Sequence, residues 1–182
     1  MKTLLTSVFF ALTLSIFFST NAQARYWVEP SVGYTTGKLN FGNGSYDTDG
    51  IYYGIRGGTY FKKIKLGASI QTGSTKIKAE TTTDAKVSQL GLYAGIDVVP
   101  KLNLFTEYFF SSSIKFDNSN AKWKSNVGYR LGFLYTGLPL YTLGLKYKMI
   151  IYNDTDDSTF SGAALKDDPT IEAFEVVVGL RF

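Results

Sequence analysis

From residue 25 onward, apolar and polar side chains alternate in one segment after another. Near the end of the chain Phe174, Val176, Val178, Leu180 and Phe182 share one parity, while Glu175, Val177, Gly179 and Arg181 share the other. A period of two marks a strand with one apolar face. Seven more segments repeat it. About Arg25–Thr36 aligns Tyr26, Val28, Val32 and Tyr34, about Ile51–Phe61 aligns Ile51, Tyr53, Ile55 and Phe61, and about Leu66–Ser74 aligns Leu66, Ala68 and Ile70. About Val87–Val98, Asn103–Ser112, Ser125–Thr136 and Tyr141–Tyr152 align, in turn, Leu92 with Ile96, Leu104 with Tyr108, Leu131 with Phe133, and Leu143 with Leu145. Helical periodicity is absent from these segments. The pattern predicts an all-β chain of eight strands.

The connections between the segments alternate in length. "KKIK", "VPKL" and "GLPL" are short, whereas about Gly37–Gly50, Thr75–Lys86, Ser113–Lys124 and Asn153–Pro169 are long. Tight turns at one end and long loops at the other fit an antiparallel up-and-down transmembrane β-barrel. Most segments are near the roughly 9–11 residues of a tilted crossing. The face opposite the apolar one carries small and charged residues, among them Gly54, Arg56, Gly67, Gln71, Gly91, Asp97 and Gly128. No helix or second sheet is left over to cover eight apolar faces, so lipid is expected to cover them. A soluble sandwich with the apolar faces turned on each other is the alternative. Closing the last strand on the first would leave no unpaired edge.

The chain begins "MKTLLTSVFFALTLSIFFSTNAQA". Lys2, the apolar run Leu4–Phe18 and the small residues Ala22 and Ala24 read as a secretory signal peptide over residues 1–24, with the barrel at 25–182. The formal net charge of +4 is modest and gives no reason to expect a nucleic-acid partner. Cysteine is absent, so no disulfide framework supports the fold.

With its signal segment, eight alternating strands and terminal "FEVVVGLRF", the sequence resembles the small outer-membrane barrels of the OmpA/OmpX type and the opacity-protein-like barrels. The resemblance implies the outer membrane of a Gram-negative bacterium, with membrane lipid and lipopolysaccharide as surroundings. It also implies that the barrel-assembly machinery reads the terminal strand, through Phe174, Val176, Val178, Leu180 and Phe182.

Eight strands enclose a space that side chains nearly fill, so a porin-like diffusion hole is not expected. Residues facing each other across a hairpin lie equally far from its centre. Glu29 and Arg56 flank a centre near Asn43, Glu107 and Arg130 one near Asn118, and Lys148 and Glu175 one near Ser161. Arg130 and Lys146 flank the turn Gly137–Leu140. Cross-strand ion pairs Glu29–Arg56, Glu107–Arg130 and Lys148–Glu175 are therefore expected, with Lys146 beside Arg130, because buried charges need partners. Such pairs would plug the lumen; partner switching that opens a gap is the other reading. Trp27, Tyr52, Tyr93, Phe105 and Phe109 also point inward by parity, either as filler between glycines or as the lining of an apolar cavity.

Candidate chemistry is sparse. With no histidine there is no Ser/His/Asp triad and no histidine-dependent metal site, and the small-barrel lipases and acyltransferases rely on that residue. The chain is not expected to be an enzyme or to need a cofactor. In the loops, Asp154, Asp156 and Asp157 are weak candidates for a bridging divalent cation, against a plain solvated loop. Lys115, Lys122 and Lys124 could meet anionic lipopolysaccharide at the rim. The expected function is that of an envelope structural or surface adhesion and interaction protein acting through its outer loops. A narrow channel, or a carrier for small hydrophobic molecules, is the alternative.

Overall fold

The computed structural model describes residues 25–42, 44–79, 82–117, 122–125, 127–155 and 168–181. The signal segment 1–24, Asp156, Asp157 and Phe182 lie outside the described residues. The strands are β1 (Arg25–Phe41), β2 (Gly44–Phe61), β3 (Ile64–Lys78), β4 (Thr82–Val99), β5 (Leu102–Phe116), β6 (Lys122–Ser125), β7 (Val127–Tyr135), β8 (Tyr141–Ile151), β9 (Asp154–Thr155) and β10 (Thr170–Leu180). β6 and β7 together make one stave of the barrel, and the two-residue β9 continues the stave of β8. Each stave pairs antiparallel with its neighbours. β1 pairs with β10 and β4 with β5, so the eight staves close on themselves.

The apolar parity faces outward. Leu92, Leu131 and Val176 are 53%, 58% and 58% exposed, while their inward neighbours Tyr93, Arg130 and Val177 are buried. An oily belt of this size on the outside has no place in water, and the sandwich alternative falls with it. At the bottom of the belt, β2 turns into β3 through Lys62 and β4 into β5 through Lys101, both with positive φ (54° and 77°). Left-handed backbone at these positions lets the chain reverse within two residues.

Three of the four long connections differ from expectation. β1 to β5 are 15–18 residues long, well beyond the roughly 9–11 needed to cross a bilayer. The stretches Gly37–Gly50, Thr75–Lys86 and Ser113–Lys124 are largely strand, rising past the belt as hairpins. Their alternation runs in the opposite sense. Leu39, Ile77, Ala85, Ile114 and Trp123 point inward and are buried, whereas Lys38, Lys76, Lys86 and Lys115 point outward and are exposed. Inside the membrane the barrel is oily outside; above it, oily inside.

A β-bulge in β5 belongs to this changeover. Gly91 pairs with Phe109 but Leu90 pairs with Ser111, which leaves Phe110 as the extra residue. Beyond it the parity of β5 flips, and Ser112 and Ile114 are the buried positions.

Candidate functional site: a charged layer inside the barrel

Inward positions of six staves bring seven charged side chains to mid-height. Glu29, Arg56, Glu107, Arg130, Lys146, Lys148 and Glu175 are all buried. Glu29 lies directly opposite Arg56 in register, and their side chains form an ion pair through Oε1 and Nη2. Glu107 lies opposite Arg130, with Oε2 at 2.5 Å from Nη1. Lys148 Nζ reaches Glu175 Oε1 at 2.8 Å, although these two are not opposite each other. In register Glu175 faces Lys146, Lys148 faces Arg130, and Lys146 faces Gly132. The expected placement of Lys146 beside Arg130 is thus off by two residues. The pairing of Tyr135 with Leu143 centres the turn on Pro139, further along than a four-residue turn Gly137–Leu140.

Arg130 is the hub. Its Nε is 3.0 Å from Glu175 Oε2, and its Nη2 donates to Gln71 Oε1 at 2.6 Å and to Glu175 Oε1 at 3.1 Å. Gln89 Oε1 lies 3.4 Å from the same nitrogen. A planar fork of five N–H groups can serve several acceptors at once. Its guanidinium carbon also stands 4.6 Å from the centroid of the Phe109 ring. Parity puts Gln89 on the inward face of β4, but a neutral amide carries no charge signal to single it out as a partner.

Lys146 has no ion-pair partner among the described residues. Its ammonium lies 5.5 Å from the Tyr52 centroid and 5.8 Å from that of Phe105. Arg56 likewise stands 5.2 Å from both Tyr93 and Phe105. The faces of these rings supply partial negative charge to the cations, so four cations and three carboxylates share the layer. The inward aromatics are therefore both filler and electrostatic partners.

The layer is enclosed from both ends. Toward the short turns, Tyr93 packs at 5.2 Å against Trp27 and against Phe105. Beneath them Tyr93 donates to Asn103 Oδ1 at 2.7 Å, Asn103 donates to Asp97 Oδ1 at 2.9 Å, and Tyr60 donates to Asp97. This second polar network escaped the charge-pairing rule because most of its members are neutral. Toward the outer hairpins a cavity of about 20 Å³ lies among Tyr52, Gln71, Gln89, Lys148 and Ile150, room for about one water. Above it Leu39, Ile77, Ile114, Trp123, Tyr152 and Ile171 form an apolar cap. Trp123 is its centre, 4.8 Å from Phe116, 5.4 Å from Phe41 and 6.3 Å from Tyr152 between ring centroids.

The remaining candidates lie on the outside. Phe174, Val176, Val178 and Leu180 project from β10 into the belt and are exposed. Asp154 sits on β9 opposite Lys124. Among the described residues no three acidic side chains gather as metal ligands would.

No protein-family model and no curated protein matches the sequence. Solved structures do match in shape. Neisserial surface protein A shares 16% identity at a TM-score of 0.58, over 87% of this chain and 99% of that one. Ail, the attachment invasion locus protein of Yersinia pestis, shares 13% identity at 0.57, over 86% and 98%. Ail in complex with the heparin analogue sucrose octasulfate gives 12% and 0.59, over 87% and 99%. The chain has the fold of the small eight-stranded outer-membrane β-barrels of Gram-negative bacteria.

Proposed function

We propose that residues 25–182 form a non-enzymatic outer-membrane barrel, sealed by its own side chains, that serves as an envelope structural and surface-interaction protein. Residues 1–24 direct export, and the outward row Phe174, Val176, Val178 and Leu180, with Phe182, presents the terminal strand to the barrel-assembly machinery. The observation that carries the sealed reading is the Arg130 hub. One guanidinium joins Glu107 and Glu175, and Lys148 also holds Glu175. Opening a path through this layer would separate charges that have no water to turn to, at a cost of several kcal/mol each. The aromatic floor and apolar cap support the same reading. A carrier for hydrophobic molecules would need an interior volume far above the one-water cavity beside Tyr52.

The surface-interaction half rests on the outer hairpins, whose polar faces stand clear of the belt. Ail, of the same fold, holds a heparin analogue in one of its structures, which favours a surface ligand here also. Planar-bilayer recording of the purified barrel tests the seal. The expected outcome is no steady conductance. A stable, charge-selective conductance that Glu107→Ala alters would overturn the sealed reading in favour of a channel.

A further inference from the structure

The charged layer carries a surplus. Arg56, Arg130, Lys146 and Lys148 stand against Glu29, Glu107 and Glu175, and all seven side chains are buried. Arg56, Arg130 and Lys148 take up the three carboxylates, which leaves Lys146 against ring faces. Those rings attract a cation but carry no net charge of their own. Nearer the short turns, Lys65 and Asp97 pair with each other at 4.0 Å and do not change the sum. A buried positive charge without a counter-charge is costly.

On the outer side of the layer, unused donors converge. Thr35 on β1, Gln89 on β4 and Lys148 on β8 all line the cavity of about 20 Å³. Gln89 is 2% exposed, and its Oε1 is turned to Arg130. That contact fixes the amide, and Nε2 makes no hydrogen bond among the described residues. Thr35 Oγ1 is buried and equally without a partner. Lys148 commits one of its three N–H groups to Glu175. No carboxylate is among the lining residues described, while Ile150 and Ile171 close the cavity on the side of the apolar cap.

We propose that this cavity seats one chloride-sized monatomic anion, held by Gln89 Nε2, Lys148 Nζ and the Thr35 hydroxyl. A single such ion balances the layer. It accepts several donors at once and donates none, which suits a lining whose free nitrogens are all donors. Sulfate, phosphate and organic acids are too large for a space that takes about one water. The inference rests on the sealed reading above, because an open lumen would let water serve the same groups.

The test uses the folded barrel, refolded from urea into neutral detergent micelles in sodium gluconate, chloride or bromide at one ionic strength. Chloride and bromide are each expected to lower the unfolding constant relative to gluconate, by about tenfold where the site is about nine-tenths filled. Gln89→Leu removes a donor to the ion, and Lys146→Met removes the surplus charge; both are expected to lose this difference. Lys86→Met, which removes an exposed charge from the outer wall, is expected to keep it. Crystals grown in bromide give a reading that needs no variant, with an anomalous peak expected in the cavity. No peak there, or one unfolding constant in all three salts, overturns the proposal and leaves the cavity to water. A halide effect that both interior variants retain overturns it as well. Steady conductance across a planar bilayer refutes the sealed reading, whereas a non-conducting barrel without halide dependence refutes the anion site alone.

Discussion

Arg130 and Glu175 stand on staves separated by β8, and their side chains meet across it with Nε 3.0 Å from Oε2. The arginine is thereby tied to strands on both sides of its own, because Glu107 lies opposite it on β5.

The members of this cluster are therefore unequal. Arg130→Met leaves Glu107 without its ion-pair partner, while Glu175 retains Lys148. Loss of about 3–5 kcal/mol is expected for such a broken buried pair. Glu107→Gln is expected to cost less, because Arg130 keeps Glu175 and Gln71. The double variant should recover part of the arginine loss. Urea unfolding in micelles, read by the heat-shift gel, gives all three values.

Gly33 faces Tyr52 in register, and a Cβ at Gly33 would fall 2.4 Å from the ring's Cζ. Gly33→Val must displace the ring, whose centroid lies 5.5 Å from the Lys146 ammonium. Overpacking of this kind costs about 1–3 kcal/mol. Tyr52→Ala in the same chain should relieve the clash, so the two substitutions together are expected to cost less than their sum. Unfolding midpoints of the two single variants and the double variant check this.

Trp123→Ala removes the centre of the apolar cap, a change worth about 3–5 kcal/mol when a buried indole is lost. The damage is expected to stay local, since the charged layer lies between the cap and the lower barrel. Limited proteolysis should nick the outer hairpins of the variant, and the fragment that remains should still show a heat shift. Cleavage throughout the barrel would contradict this division.

Leu131 projects from the middle of β7 and is 58% exposed. If lipid covers it, Leu131→Arg should destabilise the folded barrel by about 2–4 kcal/mol. Ser45→Arg, which adds the same charge at an exposed position on the outer wall of the hairpins, should change stability by less than about 0.5 kcal/mol. Equal effects at both sites would mean that the belt does not face hydrocarbon.

Much of this architecture was legible in the alternation. The eight staves follow from parity, since a strand has only two faces, while the short turns and the outward belt were read from the alternating connection lengths and the lack of any element to cover the apolar faces. Glu29–Arg56 and Glu107–Arg130 were readable because their hairpins are symmetric about the centres inferred from loop length. Lys146 was misassigned in register because the turn around Pro139 is wider than its residues suggest, and Lys148 because the pairing of β8 with β10 sets Ala173, not Glu175, opposite it. Lys148 meets Glu175 all the same, since a long side chain spans a diagonal between strands. The outer hairpins read as loops for another reason. Ile77 and Ile114 alternate with lysines as regularly as belt residues do with glycines, but parity does not tell which side holds water. The bulge at Phe110 broke the count as well, by placing two outward residues in succession.

The cap around Trp123 bears on recognition. Lys38, Asp47, Asp84 and Lys76 are fastened to strands that share a dry interior of their own, so they hold fixed spacings before any visitor arrives. Attachment to such a template forfeits little freedom on capture. A partner would be selected by how well it matches a prearranged pattern, rather than by its power to mould one.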